Sequence, residues 1–418
     1  MDSSTKVSLM NKLEYLLLAF LFITLPLKNS FNSAAIILLT IFSLVKIKSF
    51  DVFKFRRFYL FFVLFLIVLF SLIYTKDLSK GLRYVEKYSI FLVIPFILSV
   101  IQINKKRVFK LLLLFSTIVV FLSIYCEFIV INQLILNGDP LSTLLDKRYS
   151  YLNFSQPVDI HPAYFSLFII VAILTYFTYI VYFKISNLRK VAIVIILIYL
   201  SWVILQLSNR TYLLILFIVL NWCFYRYLTQ INKRKITKAL FLAVSNLILI
   251  LVVANTGYSK KRIQQVFGYT YANGYKHEDG KKKLLQWEAA VGANKNAIFG
   301  NGMGDAKQSI LNEYNSREYS YYLKNSYNAH NQYLETYVGL GIIGLFCLTL
   351  IIFQGILRAI KSSIGPYMVL FYIIPIAFLT ESYLERHHGL IFFCLVHGLI
   401  SVLNHQSSLP NLIFETKK

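Results

Sequence analysis

The stretch LFFVLFLIVLFSLI, residues 60–73, carries no charged side chain and one polar one, Ser71. Residues 192–207 and 340–353 form similar apolar runs. A helix that crosses a bilayer needs about 20 mostly apolar residues, so these runs and their flanks predict membrane helices. The whole chain is 57% hydrophobic and only 15% charged, whereas soluble domains have about 25% charged residues. The composition therefore excludes a soluble protein.

Twelve apolar segments follow one another along the chain, separated by polar or basic breaks. They lie at 13–28, 31–47, 58–74, 88–103, 109–136, 161–183, 191–207, 211–228, 237–254, 337–357, 367–380 and 388–403. We predict an all-α, polytopic integral membrane protein with about 12 transmembrane helices. Residues 1–254 would hold helices 1–9, residues 255–336 one large loop with short helices, and residues 337–418 helices 10–12 with a tail.

The basic excess is explained by the membrane. The formal net charge of +24 would suggest a nucleic-acid partner in a soluble protein. Here most basic residues lie between apolar runs, where they set topology and meet anionic lipid headgroups. With a cytoplasmic N-terminus, the inside segments hold 23 Lys and Arg and the short outside loops hold 9. We therefore predict membrane lipid and no nucleic acid as partner, and an outer location for loop 255–336.

The large outer loop contains the elements of a small folded cap. Apolar residues recur with helical spacing across residues 284–298, which predicts an amphipathic helix. The turn-forming sequence Gly-Asn-Gly-Met-Gly, residues 300–304, follows it. Loops beyond about 15 residues are usually functional or disordered, and this pattern favours function.

The strongest motif joins this loop to the tenth apolar segment. It reads NAHNQYLE at 328–335, followed by VGLGIIG at 338–344. A histidine entering a helix from the outer face, here His330, can accept a proton from a sugar hydroxyl near neutral pH. From spacing alone, a helix-capping or interfacial role is the favoured interpretation of this histidine.

Three motifs in the right order carry a family resemblance. His330 and Asn331, with the Leu and Gly residues that follow, resemble the motif of the O-antigen ligase and polymerase superfamily. Trp287 and the glycine-rich segment 299–305 resemble that family's loop pattern, and residues 381–393 resemble its last-loop pattern. The resemblance covers about residues 200–395. It implies a GT-C-like membrane glycosyltransferase of the bacterial inner membrane, with its active site facing the periplasm. With twelve spans and an inside N-terminus, the C-terminal tail is predicted to be cytoplasmic.

The resemblance also implies roles for basic residues. The family places an arginine where Arg210 lies, and it would bind the pyrophosphate of a polyprenyl-linked glycan. Guanidinium suits this chemistry because it binds phosphate oxygens bidentately and stays charged; an interfacial, topology-setting arginine is the alternative. Where the family often has a second arginine this chain has Lys283, so the second phosphate contact would come from Lys283 or from Lys282, Lys281 or Arg262.

Further polar residues fall on the same outer face. His161 precedes Pro162, so capping of a helix start is as good an interpretation as binding. Glu381 would pair with an arginine or orient His330. We predict His330 and Arg210 as catalytic residues. The predicted substrate-binding residues are Arg83, His161, Arg262, Lys283, Asn331 and Glu381.

We predict no metal and no cofactor, because the carboxylates of the outer loop share no helical spacing and there is no DxD sequence. The resemblance implies an O-antigen ligase that moves a glycan from undecaprenyl pyrophosphate to lipid A-core, with inversion. An O-antigen or exopolysaccharide polymerase is the nearest alternative within the superfamily, and a protein-glycosylating ligase is a third possibility. A polysaccharide flippase or transporter is the alternative outside it, although transport requires polar groups near mid-membrane, which these helices largely lack.

Overall fold

A computed structural model describes residues 3–230, 246, 270–272, 275–277, 282–361 and 368–403. Most of these residues are helical, in agreement with the predicted all-α class. The predicted ninth span, 237–254, lies outside the described residues except for the helical Asn246. The predicted tail after residue 403 also lies outside them.

The α-helices of the described residues are labelled in chain order. They are α1 (Ser3–Thr24), α2 (Asn29–Val45), α3 (Val52–Arg56), α4 (Tyr59–Phe70), α5 (Leu78–Tyr88), α6 (Ile90–Val100), α7 (Lys105–Leu136), α8 (Leu152–Ser155), α9 (Pro162–Tyr182), α10 (Asn187–Leu207), α11 (Arg210–Gln230), α12 (Lys282–Ala293), α13 (Ala306–Ser316), α14 (Ser320–Lys324), α15 (Gln332–Lys361), α16 (Met368–Phe378) and α17 (His387–Leu403).

Five of these helices, α7, α9, α10, α11 and α15, are long and apolar enough to cross a membrane. Helices α2, α16 and α17, and α4 with its extension to Ile73, are apolar but shorter. A helix satisfies its own backbone hydrogen bonds, which lipid cannot do. The chain is therefore a multi-pass membrane protein, and the predicted total of twelve spans remains a prediction.

One element departs from the all-helical prediction. Thr270–Ala272 pairs antiparallel with Tyr275–His277, and Thr270 lies opposite His277. Threonine and tyrosine favour extended backbone because their side chains pack well on a pleated surface. The large loop therefore contains a two-stranded ladder as well as the predicted short helices.

The described residues fall into two compact units. The first contains residues 3–17, 33–105, 282–361 and 368–403, and the second contains 18–32, 106–230, 246, 270–272 and 275–277. In the first unit α15 packs on α4, α16 and α17, and α17 also packs on α6. Aromatic rings fill this core, with the rings of Phe61 and Phe91 edge to face at 5.0 Å and those of Phe378 and Phe393 5.4 Å apart.

Helices α12, α13 and α14 of the first unit share a core of their own. Ala289, Ala290 and Ala306 are buried there beside Ile310 and Tyr314. Because alanine side chains are small, α12 and α13 can pack closely on each other. This folded segment leads directly into α15.

In the second unit α9 packs against both α10 and α11. Residues 163–178 of α9 are all buried, so this helix forms the centre of the unit. The Oγ atom of Ser186 accepts a hydrogen bond from the amide of Arg189 and caps α10, and α10 ends at the left-handed residue Ser208.

Candidate active site

Helix α15 begins five residues before its predicted start at 337, and Asn331 is the reason. Its Oδ1 atom accepts hydrogen bonds from the amides of Tyr333 at 2.9 Å and Leu334 at 3.2 Å. Asparagine is a favoured N-cap because it satisfies these otherwise unpaired amides. Asn331 is thus a structural cap, and its substrate-binding role remains a prediction.

His330 stands directly before this cap in the left-handed backbone region, with φ of 44°. Its amide donates to Oδ1 of Asn328 at 3.1 Å, which holds the turn. Histidine, asparagine and aspartate are the non-glycine residues most often found in this region. The side chain is partly buried, with 26% of its surface exposed.

The imidazole of His330 is paired with a carboxylate. Its Nδ1 atom lies 3.2 Å from Oε1 of Glu381, a residue on the turn between α16 and α17 that is only 12% exposed. A carboxylate in this position fixes the tautomer and the orientation of an imidazole ring and stabilises its charged form. Contact with His330, one of the two roles considered for Glu381, is observed.

A second carboxylate, Glu335 on the first turns of α15, holds both partners of that pair in place. It is 3% exposed. Its Oε2 atom accepts hydrogen bonds from the amide of Ala329 at 3.1 Å and from the hydroxyl of Ser382 at 3.3 Å. Ala329 precedes His330 and Ser382 follows Glu381. One buried carboxylate therefore fixes the two backbone segments that carry the pair.

The turn 381–385 is held from its other side by α5. Oε2 of Glu385 accepts a hydrogen bond from the Tyr84 hydroxyl at 2.7 Å and an ionic hydrogen bond from Lys87 at 3.0 Å. Burial, together with the charge of Glu385, raises the pKa of the Tyr84 phenol, so it stays a hydrogen-bond donor. The amide of Leu384 adds a bond to Oε1 of Gln332 at 2.7 Å.

The glycine-rich segment of the loop packs against the glycines of α15. Gly341 has φ of 63° and interrupts the helix. The amide of Asn301 donates to the carbonyl of Val338, and the amide of Ile342 donates to the carbonyl of Ala297, both at 2.8 Å. The loop thus bonds to the carbonyl of Val338 and the amide of Ile342, which would otherwise bond to each other within the helix.

Only glycine fits this contact. A Cβ atom on Gly300 would lie 2.5 Å from the amide nitrogen of Gly341, and one on Gly341 would collide with the carbonyl of Ile298. The two motifs that the sequence suggested independently are therefore two sides of one backbone contact.

Asp305 ends the glycine segment and connects it to the start of α5. Its two carboxylate oxygens accept hydrogen bonds from the amides of Lys76 at 2.6 Å and Asp77 at 3.0 Å. The Tyr74 hydroxyl donates to the carbonyl of Phe299 at 2.7 Å. The glycine segment consequently joins the residues that precede α5 to α15.

Lys283 lies close to the same turn. Its ammonium group donates to the carbonyl of Thr380 at 2.8 Å, one residue before Glu381. The structure therefore brings Lys283, His330, Asn331 and Glu381 together. Arg83 is exposed on α5, one residue before Tyr84.

Arg210 and His161 belong to the second unit. Arg210 is the first residue of α11, and Asn209 accepts a hydrogen bond from the amide of Thr211 beside it. Nδ1 of His161 accepts a hydrogen bond from the amide of Ala163 at 3.4 Å and caps α9, which is the helix-start role that the sequence suggested. Arg262 lies outside the described residues, as do the alternative position Lys281 and the side chain of Lys282. The binding roles of these residues remain predictions.

Comparison with known proteins adds one finding. Residues 195–349 match the sequence model of the family described as O-antigen ligase. The match includes Arg210, Trp287, the glycine segment and His330, and it confirms the predicted resemblance over these residues. The last-loop pattern at 381–393 lies beyond the match and stays a prediction. Members of this superfamily are membrane enzymes that transfer glycans. No curated protein matches the chain.

Proposed function

We propose that this chain is an O-antigen ligase that transfers undecaprenyl-pyrophosphate-linked polysaccharide to lipid A-core at the periplasmic face of the bacterial inner membrane. The observation that carries the proposal is the contact between Nδ1 of His330 and Glu381, 3.2 Å apart at the start of α15. A histidine held by a carboxylate is the arrangement that general-base catalysis uses to deprotonate a hydroxyl.

In the proposed reaction, Nε2 of His330 takes the proton of an acceptor hydroxyl on lipid A-core. The acceptor oxygen forms a bond to the anomeric carbon of the glycan, and the bond from that carbon to the pyrophosphate oxygen breaks. The electron pair leaves with undecaprenyl pyrophosphate. A single displacement of this kind inverts the configuration at the anomeric carbon.

Charge stabilisation completes the mechanism. Glu381 stabilises the positive charge that the His330 ring acquires, and Arg210 neutralises the departing pyrophosphate through its guanidinium group. Lys283, Arg83 and Arg262 would bind further phosphate or sugar oxygens. The excess of Lys and Arg in the predicted inside loops supports the periplasmic placement of this site.

A polymerase of the same superfamily would use the same groups with a second lipid-linked repeat unit as acceptor. The match to the O-antigen ligase family accommodates both reactions. The two reactions differ in their acceptor. Purified protein in vesicles is therefore given either the donor together with lipid A-core or the donor alone. Glycan-capped core supports the ligase, whereas elongated lipid-linked glycan supports the polymerase.

Two substitutions test the role of His330 in that assay. His330→Ala removes the base and also places alanine at a positive φ, whereas His330→Asn removes the base at a residue type that tolerates this backbone. We expect both variants to express normally and to lose transfer. Transfer by His330→Asn at the wild-type rate would exclude His330 as the base.

A further inference from the structure

We infer that a row of tyrosines leading to His330 binds sugar rings of the glycan, with Tyr321 and Tyr327 as the stacking residues. This inference rests on the proposed function, because it assigns a subsite to the same glycan. The row runs from Tyr321 on α14 to His330, just before α15.

The rings form an unbroken series. The ring of Tyr321 lies 5.9 Å from that of Tyr327, and the ring of Tyr327 lies 5.4 Å from the imidazole of His330. These separations fall within the range of direct aromatic contact, about 4.5–7 Å. A sugar bound along the row would therefore end beside the group proposed to act as base.

Burial separates Tyr321 from the tyrosines of the hydrophobic core, against which Tyr327 packs. Tyr314 is fully buried, and Tyr322 is 6% exposed. Tyr321 is 54% exposed, although its ring packs edge to face on that of Tyr322 at 5.4 Å. The core tyrosine thus supports an outward-facing ring, and Tyr327 is half-buried between that ring and His330.

The backbone under the row is well fixed. The amide of Tyr327 donates to the carbonyl of Tyr322 at 3.2 Å, and the amide of Ser326 donates to that of Leu323 at 3.0 Å. The side-chain amide of Asn325 donates to the carbonyl of Tyr321 at 2.7 Å. The rings are therefore presented by an ordered turn, which lowers the entropy cost of binding a flexible polymer.

Sugar rings suit such a surface. The faces of a pyranose present C–H groups, which pack on the electron-rich face of an aromatic ring, and the phenol hydroxyl can bond to sugar hydroxyls. A polysaccharide repeats this feature along its length, so successive rings can use successive tyrosines. Charged lipid phosphates gain little from neutral rings, which favours the glycan part of the substrate as the occupant.

The test measures binding separately from transfer. The probe is the soluble oligosaccharide released by mild acid from the lipid-linked glycan of the strain that carries this chain. Its binding to the purified full-length protein in detergent is followed by saturation-transfer NMR. We compare wild type with Tyr321→Ala, Tyr321→Phe and a control, Val291→Ala, which shortens a 53% exposed side chain on α12.

We expect Tyr321→Ala to weaken oligosaccharide binding by about two- to tenfold, the usual worth of an aromatic contact. Tyr321→Phe should keep most of the affinity because it keeps the ring, and Val291→Ala should bind like wild type. Equal affinity of Tyr321→Ala and wild type would overturn the inference, as would an absence of oligosaccharide binding to the wild type.

Measuring glycan transfer by the wild type beside the titration distinguishes this inference from the proposed function. Oligosaccharide binding that depends on Tyr321, with no transfer by the wild type, upholds the sugar site and contradicts the glycosyltransferase. The opposite result is that the wild type transfers glycan and that Tyr321→Ala binds and transfers as the wild type does. That result upholds the enzyme and contradicts the sugar site.

Discussion

Oε1 of Glu381 lies 3.2 Å from Nδ1 of His330, although 51 residues separate the two along the chain. Hydrogen bonds of the neighbouring residues also hold this pair in position. The backbone before His330 and the side chain after Glu381 both donate to Glu335. The pair is thus part of a supported arrangement, and its members can be tested one at a time.

Glu381→Gln should slow glycan transfer by about 10- to 100-fold, less than loss of the base itself, which is worth about 10²–10⁴. Glutamine still accepts a hydrogen bond from the ring but no longer stabilises the charged imidazole. Initial rates in vesicles are the measurement, with Glu86→Gln on the exposed face of α5 as control. A wild-type rate for Glu381→Gln would remove this residue from the mechanism.

Glu335→Ala should lower both stability and kcat, with KM little changed. The substitution removes an acceptor from the buried amide of Ala329 and from the hydroxyl of Ser382. A buried donor that is left unsatisfied costs about 1–3 kcal/mol. Glu335→Gln keeps an acceptor oxygen and should recover much of kcat. Thermal unfolding and steady-state kinetics are measured together. A loss of stability without any fall in kcat would show that Glu335 does not position His330.

Gly341→Ala should destabilise the protein by about 3 kcal/mol or more, because it adds a collision with Ile298 to the cost of a positive φ. Gly138 is the matched control. It has φ of 67°, and a Cβ there would meet nothing within 4 Å. Gly138→Ala should therefore cost only about 1–2 kcal/mol. Similar thermal unfolding of the two variants would contradict the proposed steric role of Gly341.

Arg210→Lys should reduce transfer by about tenfold or more, mainly through a higher KM for the lipid-linked donor. Lysine keeps the positive charge but cannot bind two phosphate oxygens in the fork geometry of guanidinium. Arg148→Lys is the control, since Arg148 pairs with Asp139 at 2.7 Å and its side chain is 65% exposed. An unchanged KM and rate for Arg210→Lys would point to a purely topological role.

Transfer should continue in the presence of EDTA, within about twofold of the untreated rate. The proposed stabilisation of the leaving group comes from arginine, in the place of the metal that many other glycosyltransferases use. The assay is repeated with added Mg²⁺ or Mn²⁺ after chelation. Loss of activity that either ion restores would contradict the metal-independent mechanism.

Much of the fold and part of the site follow from the sequence. Long apolar runs predicted the helices because lipid demands closed backbone hydrogen bonding. The pattern around His330 placed that residue at the start of a helix, where it lies. The loop prediction included short helices but did not include the strands Thr270–Ala272 and Tyr275–His277, because three-residue strands leave almost no periodic pattern.

What the sequence did not predict depends on contacts between distant segments. The sequence places Glu335 within a motif. Its hydrogen bonds to Ala329 and Ser382 form only where α15 packs against the turn after α16, so the motif does not predict them. The same holds for Glu385 with Tyr84 and Lys87. One signal was available: an acidic residue at the beginning of a long apolar helix is costly and therefore points to a specific role.

The break at Gly341 has a mechanical consequence. The loop segment 297–302 bonds to the helix on both sides of the break, to the carbonyls of Val338 and Gly339 before it and to the amide of Ile342 after it. The two parts of α15 are therefore spliced to each other through the loop as well as through their own backbone. A substitution that displaces this segment would disturb both parts of the helix at once.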